Sequence, residues 1–255
     1  MSRVLVVGAS RGLGASLTKQ YAAEVGATVY ATTRSESSPK GFPDSVKWLS
    51  GIDLMKPDVG DSIVGALQGS KPLDIVIITA GVFKTEDFSE SGPNWNDELQ
   101  MYTTSSIAPV FIVHRLAQSG LLEKGSKVVL VSSEAGSIAL RTGPEGNYAH
   151  HASKAALNMV GKLLSQDLKE KGVVVSIVHP GFMRTEMTRD VGFAQFWDKF
   201  HAVTPDEAAK SLIDWADKLD MPKSGQFWAP RGPKDIGTAE EVLGKSLPTP
   251  LELPW

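Results

Sequence analysis

Val4-Leu5-Val6-Val7-Gly8-Ala9-Ser10-Arg11-Gly12-Leu13-Gly14 opens the chain with a strand, a glycine-rich turn and the start of a helix. The run Val4–Val7 is apolar throughout, as a strand covered on both faces must be. Gly8 permits a tight turn, Gly12 lets a pyrophosphate approach the backbone, and Gly14 lets the helix lie close to the strand. Ser10 and Leu13 complete the loop. The N-terminus of the following helix then faces the phosphates, so the stretch reads as a dinucleotide-binding turn.

The same alternation continues outward. Thr28–Ala31, Val46–Leu49, Asp74–Ile78, Lys127–Val131 and Val173–Val178 read as further strands, and Gln226–Trp228 as a last edge strand. Helical patterns fall at 12–24, 58–68, 95–118, 151–170 and 205–218. Strands alternating with helices imply right-handed crossovers and a parallel sheet. The expectation is a single α/β domain over 1–255, doubly wound around about seven strands. Residues 182–203 are too long for a plain connector. With Phe182, Phe193, Phe196, Trp197 and Phe200 they form a candidate substrate-binding insertion or a small satellite core.

Bulk properties narrow the function. A net charge of −3 advertises neither a nucleic-acid surface nor an acidic tail. With no cysteine, disulfides, thiolate nucleophiles and zinc–sulfur sites are excluded. The histidines show no ligand spacing with carboxylates, so no metal is expected. No apolar run reaches membrane-spanning length, and a strand begins within the first few residues, so a cytoplasmic enzyme is expected. The second strand ends in Thr32-Thr33-Arg34, without the acidic residue that binds a ribose diol and repels a 2′-phosphate. Arg34 there and Arg11 in the glycine turn can clamp a phosphate by charged, bidentate bonds. The expected cofactor is NADP(H).

The spacing Gly8-x3-Gly12-x-Gly14 resembles that of the short-chain dehydrogenase/reductase superfamily, and further segments follow in that family's order. Asp53-Leu54 resembles the pair that contacts adenine, and Thr79-Ala80-Gly81 the turn beside the cofactor. Ser132-Ser133 ends the fifth strand where the family places a catalytic serine. Ser153-Lys154-Ala155-Ala156-Leu157 resembles the helix of the catalytic lysine. His179-Pro180-Gly181-Phe182-Met183-Arg184-Thr185 resembles the segment at the nicotinamide end. The resemblance covers about the first 190 residues, with an insertion near 139–146, and is closest to a carbonyl-reductase-like branch. It implies a Rossmann-type fold, cofactor contacts from Ala80, Gly81, Lys154, Pro180, Gly181 and Thr185, and a homodimer or homotetramer formed through the helices at 95–118 and 151–170.

That family uses a serine, a tyrosine, a lysine and often an asparagine. Tyrosine and lysine stand four apart, so that both project from one helix face. Four residues before Lys154 stands His150, and Tyr148 lies six before. Ser105 stands where the asparagine would. Three readings follow for the acid–base group. His150 replaces the tyrosine beside Ser133 and Lys154, with its pKa pushed below about 6.5. Alternatively, Tyr148 enters the pocket through an irregularity at Gly143–Gly146. In the third reading, His150 is only a first-turn helix residue and redox chemistry is lost. Ser133 is preferred as the catalytic serine over Ser132 and Ser137.

The resulting expectation is an NADP(H)-dependent oxidoreductase interconverting a carbonyl and a secondary alcohol of a small, largely apolar or aromatic substrate. The rivals are a repurposed relative catalysing a cyclisation, dehydration or isomerisation, and a dinucleotide sensor. Arg141 and Arg184 are candidates to bind an acidic group.

Overall fold

Strand β1 (Arg3–Val7) shows how one short sequence builds two cores: Val4 and Val6 point to one face of the sheet, Leu5 and Val7 to the other. A computed structural model describes residues 2–88, 92–143, 146–234 and 236–255. The strands are β1, β2 (Thr28–Thr32), β3 (Lys47–Leu49), β4 (Ile75–Ile78), β5 (Lys127–Val131), β6 (Val174–Val178), β7 (Phe227–Ala229) and β8 (Leu251–Glu252). They form one sheet in the order β3-β2-β1-β4-β5-β6-β7-β8. Every pairing is parallel except the last, in which Ala229 lies opposite Leu251.

Helices α1 (Gly12–Ala23) and α7 (Pro205–Asp217) cover the Val4/Val6 face with Leu17, Tyr21, Leu212 and Trp215. The opposite face is covered by α2 (Val59–Ala66), α4 (Ala108–Gln118) and α5 (Tyr148–Asp167) through Ile63, Ile112, Leu116 and Leu157. A third, smaller cluster gathers Leu140, Phe227, Leu251 and Leu253. No helix among the described residues is long and apolar enough to cross a membrane. The strand order reverses between β1 and β4, so the crevice beyond their carboxyl ends is where a ligand fits an open α/β sheet.

The doubly wound architecture agrees with the sequence, with three differences in detail. The sheet has eight strands rather than about seven, because Leu251–Glu252 pairs with β7, which is therefore not the edge. The helical stretch 95–118 is broken into α3 (Trp95–Tyr102), a π-helical turn at Thr103–Ile107, and α4. Pro109 cannot donate to the carbonyl four residues back, and the Thr104 and Ser106 hydroxyls bond to the carbonyls of Gln100 and Tyr102 at 2.7 and 2.9 Å. Helix α5 begins at Tyr148 rather than 151, so His150 and Lys154 both lie within it. Residues 182–203 fold into α6 (Glu186–Asp190), a 3₁₀ turn at Phe193–Phe196 and a bridge between Met183 and Val203.

Candidate active site

The glycine turn is shaped by its neighbours. A Cβ on Gly14 would stand 2.1 Å from the Gly8 carbonyl oxygen and 2.7 Å from Thr79 Oγ1. Gly8 itself has φ of 86°, and a Cβ there would meet the Ala80 backbone at 2.8 Å. The β1 turn, the start of α1 and the Thr79-Ala80 end of β4 thus touch without room for a methyl group. The first turn of α1 has no acidic residue, and Arg11 at its N-cap makes no capping hydrogen bond with its side chain. The positive helix end is left for an anion.

This turn floors a cavity of about 690 Å³, well within the range of ligand sites. All the residues assigned from the sequence to the cofactor line it: Gly8, Ser10, Arg11, Gly12, Leu13, Gly14, Arg34, Asp53, Leu54, Ala80, Gly81, Lys154, Pro180, Gly181 and Thr185. A Cβ on Gly12 would project toward Thr185 Cγ2 at 3.7 Å, into the space between two walls of this cavity. The fit to a dinucleotide therefore rests on a cradle that only hydrogen atoms leave open. At the β2 end, Arg34 lines the cavity, whereas the Glu36 carboxylate lies over Gly51, 3.2 Å from where its Cβ would be. Asp53 uses Oδ1 to accept from the Met55 backbone at 3.0 Å, which fixes its own turn.

At the other end, β5 and α5 bring Ser133, His150 and Lys154 to the same cavity. Ser132 also lines the cavity, but its hydroxyl is used inward: it donates to Asn158 Oδ1 at 2.6 Å, while Asn158 Nδ2 donates to the Gly136 carbonyl at 3.2 Å. Ser133 Oγ accepts from Ala135 N at 3.2 Å, which leaves its proton for the cavity. Ser137 is fully buried, accepts from Leu140 N and does not line the cavity. Lys154 Nζ donates to the Val131 carbonyl at 2.8 Å, and burial pushes its pKa down to about 8. Ser105, in the π-helical turn, stands beside it: a Cβ on Gly81 would lie 3.7 Å from Lys154 Nζ and 3.8 Å from Ser105 Oγ. Ser105 Oγ is buried and has no hydrogen-bond partner among the described residues.

The His150 ring packs on Phe83 with centroids 4.1 Å apart, and Phe83 meets Phe193 edge-on at 5.3 Å. Burial first, then the charges of Lys154, His151 and Arg141, push the imidazole down to about 3, so it is neutral across the ordinary pH range. None of the four tyrosines lines the cavity. Tyr148 is 43% exposed at the first position of α5, with its ring against Phe88. The irregularity invoked to swing it inward includes Pro144 and Glu145, which lie outside the described residues.

The start of α5 is set from a distance. Asn147 adopts a left-handed conformation (φ 56°) that asparagine tolerates. Its backbone N–H donates to the Glu86 carbonyl at 2.8 Å, and the Glu86 carboxylate accepts from Ala149 N at 2.8 Å. Phe182, Phe193, Phe196 and Phe200 line the cavity, as the insertion reading requires. Trp197 does not: its indole donates to Thr188 Oγ1 at 3.2 Å within the same segment. Arg184 also turns away, pairing with Asp198 at 2.7 Å and donating to the Ala202 carbonyl. Sequence reasoning missed Phe83, Thr104, Met187 and Thr238 as lining residues, and it treated His179 only as part of a motif. Phe83 alone had a signal, standing just after the Thr79-Ala80-Gly81 turn.

Residues 2–195 match the family profile described as short chain dehydrogenase. The 1-hydroxy-2-glutathionyl-2-methyl-3-butene dehydrogenase of a Rhodococcus strain is 31% identical over 229 residues, covering 89% of this chain and 96% of that protein. Among solved structures, the carbonyl reductase Sniffer of D. melanogaster superposes with a TM-score of 0.78 at 22% identity, covering 100% of both chains. NADPH-bound carbonyl reductase from chicken fatty liver gives a TM-score of 0.74 at 23% identity, covering 100% of this chain and 94% of that one. At these identities, the two structures speak for the fold.

Proposed function

The chain belongs to the short-chain dehydrogenase family of oxidoreductases, and on that premise we propose that it is an NADP(H)-dependent enzyme interconverting a carbonyl and a secondary alcohol of a small, largely apolar or aromatic compound. The observation that carries the reading is the convergence of Ser133, His150 and Lys154 on the cavity floored by the glycine turn. The bound nicotinamide supplies or accepts the hydride. The Ser133 hydroxyl donates to the substrate oxygen. The neutral His150 ring polarises the same oxygen through an N–H, since its protonated form is not populated near neutrality. Lys154, an ammonium below about pH 8, stabilises the alkoxide that hydride addition leaves and supplies the proton that makes it an alcohol, taking that proton back in alcohol oxidation. The phenylalanines of 182–203 exclude water around an apolar substrate. NADPH as the bound form in the chicken carbonyl reductase supports the cofactor assignment, as do Arg11 and Arg34.

NADPH consumption across a panel of ketones, quinones and aldehydes tests the assignment. His150→Phe is expected to lower kcat by about 100-fold, the usual scale for losing one donor aimed at a developing oxyanion. Tyr148→Phe should leave kcat within twofold. The reverse pattern would overturn the role of His150. NADPH binding without turnover of any substrate by the wild type would favour the non-redox or sensor alternatives.

The two arginines make a separate prediction. Arg34→Ala is expected to weaken NADPH about tenfold while leaving NADH affinity unchanged, and adding Arg11→Ala should weaken NADPH about tenfold more. Each is the scale of one partly exposed charged hydrogen bond. Parallel fluorescence titrations with both nucleotides decide it, and equal losses for NADPH and NADH would remove the 2′-phosphate assignment. A homodimer or homotetramer fits the exposed Ile107 at the end of the π-helical turn, Phe111 of α4, and Met159 and Leu163 of α5. Cysteine-free composition is compatible with a cytoplasmic setting.

A further inference from the structure

We propose that Arg141 is a positioning residue that ties the turn bearing Ser133 to the helix turn bearing His150, so that these two groups approach a substrate oxygen as one unit. The inference rests on the reading that Ser133 and His150 act together. Its geometry lies one residue beyond each of them. Arg141 Nη2 forms an ion pair with the carboxylate of Glu134, the neighbour of Ser133. Arg141 Nη1 lies 3.3 Å from Nε2 of His151, the neighbour of His150. One planar guanidinium thus joins β5's end to α5's first turn.

The direction of the second bond follows from chemistry. His151 Nδ1 lies 2.8 Å from the Asn147 carbonyl oxygen, which can only accept, so Nδ1 carries the proton. In the neutral ring Nε2 is then a lone pair, and Arg141 donates to it. Both partners are themselves held. The Glu134 backbone N–H donates to His179 Nδ1 at 3.0 Å, which pins the Ser133 turn to the end of β6. A Cβ on Gly136 would meet the Lys154 carbonyl carbon at 2.7 Å, so the same turn lies hard against α5.

The base of the strut is equally firm. Leu140 is fully buried in the Phe227/Leu251 cluster, and its carbonyl accepts from Thr238 Oγ1 at 3.1 Å. Ala139 N donates to the Trp255 carbonyl at 3.0 Å. Arg141 therefore rises from anchored backbone within the β5–α5 connection. The Arg141 and Glu134 side chains are only 23% and 25% exposed, so water screens their pairing less than it would on an open surface.

The test uses the full chain with Arg141→Met, Arg141→Lys and Glu134→Gln, the last keeping the shape of the carboxylate. Long-range ¹⁵N–¹H spectra should show wild-type His151 protonated on Nδ1 with a hydrogen-bonded Nε2. In Arg141→Met the Nε2 resonance should move to its unbonded position, and the His150 ring signals should shift or split. Turnover should fall on the order of tenfold in kcat, with KM and NADPH affinity within twofold, since small misplacements of reacting groups act on the chemical step. Glu134→Gln should reproduce the kcat loss, the double variant should be no worse than either single one, and Arg141→Lys should fail to rescue because one ammonium cannot span both partners. A KM increase at unchanged kcat would make Arg141 a substrate-binding residue and overturn the proposal. Unchanged His150 signals in Arg141→Met would also overturn it. A wild type without turnover whose histidine signals respond as stated would sink the redox reading alone.

Discussion

Gly14→Ala is expected to cost on the order of 3 kcal/mol of stability and to weaken NADPH binding about 100-fold, although it adds a single methyl group. The methyl carbon would stand 2.1 Å from the Gly8 carbonyl oxygen and 2.7 Å from Thr79 Oγ1. The first of these is backbone inside the turn and cannot rotate away. Relief requires α1 to withdraw from β1, which carries its N-terminal N–H groups out of reach of a phosphate. Two charge-assisted hydrogen bonds at about 1.5 kcal/mol each account for the expected affinity loss. Gly65→Ala is the matched control. That glycine is exposed on α2 with nothing within 4 Å of the added carbon, so helix propensity alone acts and stability should rise by about 0.5 kcal/mol. Chemical denaturation and a nucleotide titration on both variants check the pair. A Gly14→Ala protein that binds NADPH within threefold of the wild type would refute the packing argument.

The contrast also shows what was legible in the sequence. Gly8, Gly12 and Gly14 could be read because the strand, turn and helix that they serve are contiguous, and their constraints are local. The alternation of Val4, Leu5, Val6 and Val7 between two cores is local too. The start of α5 was read three residues late because it is set by Glu86, which lies 61 residues before Asn147 and caps the helix across space. The break in 95–118 depends on Pro109 together with hydroxyls that bond backward, a combination that apolar periodicity does not reveal. Strand β8 has two residues between prolines, too short for any pattern, and exists because Leu251 and Leu253 fill a cluster with Phe227. In the site, chain position favoured Ser133, the last serine before Glu134-Ala135-Gly136, over its neighbour Ser132. The Asn158 hydrogen bond to Ser132 separates them. Phe182, Phe193, Phe196 and Phe200 were found because aromatics were concentrated in one segment, yet the same concentration led to Trp197, whose indole N–H is used inside the segment. The low pKa of His150 was foreseen in direction, but its main cause is burial against Phe83 and the surrounding walls rather than neighbouring charge.

Lys154→Met is expected to abolish turnover, on the order of 1000-fold in kcat, while leaving the chain at least as stable as the wild type at neutral pH. The activity loss follows from the residue's place: its ammonium lies in the cavity beside Gly81 and Ser105 and is the charge that a developing oxyanion would feel. The stability argument runs the other way. Burial lowers the Lys154 pKa to about 8, below the roughly 10.4 of an unfolded lysine, so the charged form is held at a cost of about 3 kcal/mol. Methionine removes that cost, and the Val131 carbonyl that loses its donor takes back about 1–3 kcal/mol. The sign with pH separates this account from ordinary packing. Between about pH 8 and 10.4 the unfolded chain holds the proton and the folded chain does not, so wild-type stability should rise with pH relative to the variant. Below pH 8 the difference between the two proteins should be flat. Wild-type kcat for carbonyl reduction should show a limb near pH 8, falling as the ammonium loses its proton, with none between 5 and 7, because His150 does not titrate there. Denaturation midpoints of both proteins from pH 6 to 10.5, with the wild-type pH–rate profile, test both halves. A midpoint difference that does not change across that range would show that the buried ammonium carries no such penalty.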